Sequence, residues 1–271
     1  MKLEGPQRDE SFVDPRHCLV FWGRPPQKVK NLIDVIQSKL KDAAPGMSHG
    51  LMLFSADKTD LWLMPLEKLH LTVMEVAHSK TQDGIAALVD ALKAHSTEIA
   101  DHTMTHRARL IKPLLSYDSA ALALSFVPAA GESASHGRTA EDDRYTYHHL
   151  RRDAYAALSD AGVQVGSRYV VPSAHLTIAR FNTPNVFGGD PLDGNVTLDM
   201  KKRKHWINEI ELINKWLEAE FWPEEQGTLI KAGGEWIVGE EKGLDFRHGT
   251  LWYGGGETIY LGEGFNHSDE E

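Results

Sequence analysis

The 271-residue sequence has little cysteine and no long apolar segment. Its single cysteine, Cys18, excludes an internal disulfide framework, and we expect it to fill an apolar position in the first strand. No apolar run approaches the roughly 20 residues that cross a bilayer, and the polar N-terminus lacks the apolar stretch of a secretory signal. These absences predict a cytoplasmic protein with no membrane partner, and they leave the nucleus open as a second location.

Positive charge is also scarce. The 29 Lys and Arg residues stand against 39 Asp and Glu, a formal net charge of −10. Proteins that hold long polyanions depend on many basic contacts, so the balance argues against duplex DNA as a partner. A small nucleotide or an RNA end still fits, because a pocket can be locally positive on an acidic molecule.

Two stretches share the pattern apolar-His-apolar-Thr-apolar: residues 69–73 (Leu-His-Leu-Thr-Val) and 174–178 (Ala-His-Leu-Thr-Ile). Successive side chains of a strand face opposite sides of the sheet. The His and the Thr of each stretch therefore share one face, and the apolar residues share the other. We expect two strands that bury their aliphatic faces and bring His70 and His175 together over one pocket.

The flanking residues single out these two stretches among four His-x-Thr tripeptides. About one such match is expected by chance in a chain of this composition. His95-Ser96-Thr97 lies in a segment of helical periodicity, where residues two apart do not share a face. His248-Gly249-Thr250 has a glycine where the other stretches have an apolar residue.

Apolar periodicity along the chain predicts a mixed α+β fold. Strands are expected at residues 18–22, 61–64, 68–77, 107–117, 120–127, 174–181, 235–238, 250–253 and 258–261, and helices at 29–45, 85–100, 144–161 and 201–221. The first strand–helix–strand–strand set is followed by related elements in a different order, which indicates an internal duplication.

We expect residues 1–271 to form a single bilobal domain. In this organisation residues 1–16 are a loose N-terminus, and residues 128–143, rich in Gly, Ser, Ala and acidic residues, are an insertion loop. Residues 186–271 supply a C-terminal helix and strands that complete the lobes, and 266–271 are a disordered tail. The glycines at 254–256 lack a phosphate-loop lysine and a following helix, so they predict a turn.

Two opposed imidazoles suit proton transfer near neutral pH. One neutral His accepts a proton from an attacking water, while the other, protonated, gives a proton to the departing oxygen. Hydrolysis of a ribose 2′,3′-cyclic phosphate needs both events at one phosphorus. Thr72 and Thr177 can donate hydrogen bonds to its non-bridging oxygens. No step in this chemistry requires a metal or another cofactor.

The two stretches with their flanks resemble the signatures of a known family. Residues 62–72 (Trp-Leu-Met-Pro-Leu-Glu-Lys-Leu-His-Leu-Thr) and 172–180 (Pro-Ser-Ala-His-Leu-Thr-Ile-Ala-Arg) are similar to those of the 2H phosphoesterase superfamily, most of all its LigT-like and cyclic-nucleotide phosphodiesterase branches. The resemblance covers residues 17–181. It implies a bilobal, duplicated α+β fold in which two antiparallel sheets flank a central cleft, with helices outside.

The resemblance also implies an activity and its site. His70 and His175 become the catalytic acid and base, and Thr72 and Thr177 the phosphate ligands. Arg180 matches the arginine that follows the second motif and would contact the anion. The implied substrates are 2′,3′-cyclic nucleotides or RNA ends that carry a cyclic phosphate.

Trp22 is the last residue that the resemblance assigns to the substrate site. It lies where the related plant enzymes place an aromatic residue at the end of the first strand, a position from which it can stack on a base. A place in the core is the alternative. The 105-residue spacing between His70 and His175 is longer than in compact family members, and the loop at 128–143 is our explanation.

Two other functions stay open at this stage. One is an RNA 3′-end processing phosphodiesterase, although related enzymes of that kind favour Ser in the motif and this acidic chain offers little grip on a long strand. The other is a non-catalytic nucleotide- or RNA-binding module. A metal site at His102 and His106 is not expected, because no Glu or Asp stands near them in a zincin arrangement. We expect a monomer.

Overall fold

A computed structural model describes residues 15–43, 61–132, 139–168, 171, 173–182, 199–224 and 230–266. Nearly all of the N-terminal segment 1–16 lies outside these ranges, as does the expected tail from residue 267 onward. Of the insertion predicted at 128–143, the described part ends in a short 3-10 helix, Ala140–Asp143.

The described chain contains both strands and helices. The strands are β1 (His17–Gly23), β2 (Leu61–Leu63), β3 (Leu71–Lys80), β4 (Arg109–Tyr117), β5 (Ala121–Pro128), β6 (Ala174–Phe181), β7 (Glu235–Ile237), β8 (Lys242–Gly249) and β9 (Glu257–Glu263). The helices are α1 (Gln27–Ala43), α2 (Gln82–Leu92), α3 (Ser96–Asp101), α4 (Tyr147–Asp160) and α5 (Met200–Phe221). The predicted α+β class is confirmed.

The strands of the described residues pair antiparallel in the order β7-β4-β5-β6-β3-β1-β8-β9, with β2 on the other part of β6. This order divides into two halves of four strands, which we call the β3 half (β3, β1, β8 and β9) and the β6 half (β6, β5, β4 and β7). Leu71 and Leu176 form the one pair recorded between β3 and β6. The two expected antiparallel sheets are therefore joined at a single pair of residues.

The two halves repeat one unit of structure. β1, α1 and β3 occur in this order in the β3 half, and β5, α4 and β6 occur in this order in the β6 half, with the two strands of each unit antiparallel neighbours. A half-turn about the Leu71–Leu176 pair exchanges these units in the strand order. The element order along the sequence differs between the halves because β2 lies between α1 and β3, whereas β4 comes before β5.

Helix α5 is amphipathic, as its sequence predicts. Buried Trp206, Ile210, Ile213 and Leu217 recur every three or four residues and form its inner face. The Asn214 amide on this face accepts a hydrogen bond from the backbone N–H of Leu115 at 2.7 Å and donates one to its carbonyl at 3.0 Å. None of the described helices combines the length and the hydropathy that crossing a membrane requires.

Two predicted elements are wrong. The helix expected at 85–100 is two helices, α2 and α3, separated by a turn at residues 93–95. The strand expected at 250–253 is a 3-10 turn over Trp252–Gly254, in which Tyr253 has a φ of +57°. The strand in this region is β8, whose buried Leu244 and Phe246 alternate with charged residues.

Candidate active site

The two His-Thr stretches lie side by side at the junction of the halves. His70, just before β3, and Thr72 are half-buried, as are His175 and Thr177 on β6. The aliphatic residues between and beside them are at most 3% exposed: Leu69, Leu71, Val73, Ala174, Leu176 and Ile178. The predicted alternation of an aliphatic face with a His-Thr face is therefore confirmed.

The register crosses the two motifs. Because Leu71 pairs antiparallel with Leu176, continuing that register by one residue sets His70 opposite Thr177 and Thr72 opposite His175. Side chains directly opposite each other have Cβ atoms about 5 Å apart. All four side chains line one cleft. In this register each imidazole would face the other motif's threonine across the strands.

Side chains from the opposite half hold the backbone of each motif strand. Gln37 of α1 donates from Nε2 to the carbonyl of Ile178 on β6 at 2.9 Å. Arg151 of α4 donates from Nη1 to the carbonyl of Val73 on β3 at 2.5 Å. Val73 and Ile178 each follow the threonine of their motif, so the two acceptors occupy corresponding positions of the motif strands. The two contacts fix the position of each motif from across the junction.

Two contacts set the orientation of the His70 ring. Its Nδ1 lies 2.8 Å from the carbonyl oxygen of Lys68. A carbonyl only accepts, so Nδ1 carries the hydrogen, and in the neutral ring Nε2 keeps a lone pair. The ring also stacks on Trp22, with centroids 3.7 Å apart and planes at 16°. His70 is therefore presented as a proton acceptor at Nε2.

The surroundings of His70 favour its neutral form. Its pKa is lowered from 6.5 to about 4. Burial is the largest cause, the hydrogen bond to Lys68 acts in the opposite direction, and the positive charges of Arg24, His175 and Arg247 add to the lowering. His70 is thus held neutral at physiological pH.

His175 has its own set of contacts. Its Nδ1 lies 3.2 Å from Ser173 Oγ. Burial lowers its pKa, a hydrogen bond with the backbone of Ser173 raises it, and the charge of Arg151 lowers it. The residue two positions earlier therefore contacts Nδ1 of each ring.

A β-bulge turns Arg180 toward the same cleft. The pairing of β5 with β6 shifts by one residue between Leu122–Ala179 and Ala123–Thr177. Such a shift reverses which face the later side chains occupy, and Arg180 consequently lines the cleft with the two motifs. Its guanidinium carbon lies 5.5 Å from the centre of the Tyr253 ring.

Trp22 lies in the wall of the cleft beneath His70. It pairs with Thr72 in the β1–β3 ladder and is 2% exposed. His70 covers its ring as described above, and the guanidinium carbons of Arg24 and Arg247 lie 5.0 and 5.4 Å from the ring centre. Stacking of Trp22 on a base stays a prediction.

The residues around Trp22 include a charged group that sequence reasoning missed. Arg24 donates from Nε and Nη2 to Asp245 Oδ2 at 2.9 and 2.5 Å, and from Nη1 to the carbonyl of Leu69 at 3.1 Å. Asp245 and Arg247 both come from β8. The alternation of apolar and charged residues at 244–247 could have predicted the strand β8. It could not have predicted that β8 lies next to a motif more than 170 residues earlier in the sequence.

A second missed pair lies farther along the cleft. Glu75 of β3, 2% exposed, accepts from the backbone N–H of Arg168 at 2.7 Å and from its Nη2 at 2.5 Å. A register shift between Phe21–Met74 and Trp22–Thr72 brings Glu75 to the cleft face. Buried Cys18 also lines this end, beside Trp252.

The mouth of the cleft is aromatic. Trp252 and Tyr253 are 38% and 51% exposed and line the opening. About 90 Å³ of the cleft is accessible to water-sized molecules.

The histidines considered as metal ligands in the sequence contact each other and a tyrosine. His102 and His106 stack with ring centroids 4.0 Å apart, and His102 Nε2 lies 3.0 Å from the hydroxyl of Tyr145. Among the described residues no cluster of three or more His, Cys, Asp or Glu side chains has the geometry to hold a metal ion.

Comparison with known proteins gives structural likenesses only. No protein-family model matches the chain, and no curated protein sequence matches it. Similar solved structures include TT0787 of Thermus thermophilus (13% identity, 92% of this chain and 99% of that one, TM-score 0.46). A conserved protein of unknown function, ATU0111 from Agrobacterium tumefaciens, has 13% identity over 96% of this chain and 92% of that one, with a TM-score of 0.48.

A third similar structure is Usb1 of Kluyveromyces marxianus with uridine monophosphate. Its identity to this chain is 9%, over 92% of this chain and 96% of that one, with a TM-score of 0.40. Likenesses at these identities and TM-scores do not assign an activity. The function of this chain has to be inferred from its own side chains.

Proposed function

We propose that this chain is a 2H-type phosphodiesterase that hydrolyses ribose 2′,3′-cyclic phosphates without a metal ion. The observation that supports this most is the crossed arrangement of His70, Thr72, His175 and Thr177 around the Leu71–Leu176 pair. Two groups that can transfer protons and two hydroxyl donors thus line one cleft, as the proposal requires. Arg180 adds positive charge to the same cleft.

His70 is the general base in this proposal and His175 the general acid. Neutral His70 takes a proton at Nε2 from the attacking water, whose oxygen forms a bond to phosphorus. The bond from phosphorus to one ribose oxygen breaks, and that oxygen receives a proton from Nε2 of His175. The phosphate that enters the cleft is anionic and favours the protonated form of His175. Solvent then returns both rings to their starting states.

The threonine hydroxyls stabilise the charge that builds on the phosphorus oxygens. Thr72 and Thr177 donate hydrogen bonds to the two non-bridging oxygens, and Arg180 contacts the anion from the later part of β6. Donors that are already in position for developing charge lower the barrier without reorganising during the reaction. The aromatic mouth at Trp252 and Tyr253 offers ring surface to the base.

The test is turnover of the four nucleoside 2′,3′-cyclic phosphates in the presence of EDTA. We expect hydrolysis to a monophosphate that the chelator does not reduce, with a bell-shaped pH profile because the acid and the base must be in opposite states. His70→Ala should strongly lower this turnover, whereas His95→Ala, in the helical His-x-Thr tripeptide, should not. Loss of turnover in EDTA, or a fully active His70→Ala variant, would remove the proposed mechanism.

The open, aromatic mouth also favours an RNA 3′ end as a second candidate substrate. Exposed Trp252 and Tyr253 line the cleft and offer ring faces on which further nucleotides can stack. Turnover of a mononucleotide compared with an oligonucleotide that ends in a cyclic phosphate separates the two candidates. Tight product binding with no turnover on either substrate would instead indicate a non-catalytic binding module.

A further inference from the structure

The glycine turn after Tyr253 packs against the residue that anchors His70. Gly254 is buried and has a φ of +75°. A Cβ added there would lie 2.7 Å from Lys68 Cβ and 2.8 Å from the Lys68 carbonyl oxygen. That carbonyl oxygen accepts the hydrogen bond from His70 Nδ1. Only a residue without a side chain lets the turn approach Lys68 this closely.

Arg247 links the same turn to Trp22, the residue on which His70 stacks. It donates from Nε to the carbonyl of Gly255 at 2.9 Å and from Nη2 to the carbonyl of Gly256 at 2.5 Å. Its guanidinium also lies over the ring of Trp22, on which His70 stacks. The turn therefore reaches His70 by two routes, through Lys68 and through Arg247 with Trp22.

We propose that the turn at residues 252–256 is a positioning element for His70, with Gly254 and Arg247 as its positioning residues. It fixes the Lys68 carbonyl, which keeps the hydrogen of the neutral ring on Nδ1 and aims the Nε2 lone pair into the cleft. The turn connects β8 to β9, outside the β1-α1-β3 unit that carries His70. This inference rests on the proposed function only for its effect on turnover.

The first test compares two alanine substitutions at glycines of nearly equal φ. Gly254→Ala introduces both a left-handed alanine and the contacts with Lys68. Gly162→Ala, at the end of α4, introduces the same backbone strain at a φ of +76°, with nothing within 4 Å of the new Cβ. We expect Gly254→Ala to lower kcat about 100-fold, the loss typical of a displacement of about 1 Å in a reacting group, with KM little changed. Gly162→Ala should keep wild-type kcat.

A second readout does not depend on activity. The ¹⁵N chemical shifts of the His70 ring report which nitrogen carries the hydrogen. We expect the Nδ1–H tautomer in the wild type and in Gly162→Ala, and a mixture of tautomers in Gly254→Ala. An unchanged tautomer in a folded Gly254→Ala variant would overturn the inference, even if the wild type hydrolysed no cyclic phosphate. Equal losses of kcat in the two glycine variants would overturn it as well.

If Gly254→Ala does not fold, the variant Arg247→Lys provides the test instead. Lysine keeps the positive charge near His70 but cannot hold two carbonyls with a planar fork. We expect a smaller loss of kcat and a partial change of the His70 tautomer, both in the direction expected for Gly254→Ala. Wild-type kcat together with an unchanged tautomer in Arg247→Lys would contradict the role of the turn.

Discussion

His70 and His175 occupy equivalent positions in the two halves of the sheet, yet their imidazoles meet different groups. His70 stacks on Trp22 and faces the charges of Arg24 and Arg247, and its pKa is lowered to about 4. His175 meets Ser173, and among charged residues it is Arg151 that lowers its pKa. The difference teaches that a duplicated motif does not give its two imidazoles equal surroundings.

In the proposed mechanism, residues outside the motifs decide which histidine is the general base and which is the general acid. A general base must be neutral when substrate arrives, and a general acid must be protonated. The guanidiniums of Arg24 and Arg247, one from the segment after β1 and one from β8, act on the β3 half and disfavour a proton on His70. We therefore assign the base to the β3 half and the acid to the β6 half.

Removal of each imidazole should have the largest effect and should separate the two roles. His70→Ala and His175→Ala should each lower kcat by about 10²- to 10⁴-fold, the range for general acid–base groups. The residual pH profile should lose its acidic limb in His70→Ala and its alkaline limb in His175→Ala. If His70→Ala instead lost the alkaline limb and His175→Ala the acidic limb, the roles of the two histidines would be reversed. His248→Ala serves as a control, because it changes a His-x-Thr tripeptide that has a central glycine.

We expect the two threonines to contribute equally to kcat, although the two histidines have different roles. Thr72→Val and Thr177→Val each remove one hydroxyl donor at similar volume, and we expect each to lower kcat by about 10²- to 10³-fold, as for a lost oxyanion donor. Thr→Ser at either position should restore most of the rate because it restores the donor. A loss confined to one of the two threonines, measured under saturating substrate, would show that only one contacts the phosphate.

A smaller effect is expected when the charge next to His70 is removed. Burial is the main cause of the low pKa of His70, and the charge of Arg24 lowers it further. Arg24→Met should therefore raise this pKa, so the acidic limb of the pH–rate profile should move to higher pH. Arg24→Lys keeps the charge and should leave the limb in place. A limb that moves equally in both variants would trace the shift to the lost contacts with Asp245 and Leu69.

The features of this site that depend on residues close in sequence could be predicted. The features that depend on residues far apart in sequence could not. The alternation in residues 69–73 and 174–178 indicated two buried strands and their His-Thr faces, because strand periodicity is local. The crossed register depends on the Leu71–Leu176 pair, and the orientation of Arg180 depends on a bulge; neither is encoded in a short pattern. Asp245 is 221 residues from its partner Arg24, so only the folded chain brings them together.

The C-terminal turn shows the same limit. Residues 250–253 have the apolar and aromatic composition of a strand, and this favoured the wrong element. Positive φ values at Gly249, Tyr253 and Gly254 make the segment a turn instead. Residue 254 has to be a glycine because the turn lies close to Lys68, and this contact is visible only in the folded chain.

The most direct test of the central claim is a titration with a nucleoside 2′-monophosphate, followed by the ¹⁵N signals of His70 and His175 in one sample. If both imidazoles act on one phosphorus, both Nε2 signals should shift along a single saturation curve with one dissociation constant. A shift of only one ring, or two curves with different constants, would place the histidines in separate sites and contradict the proposed mechanism.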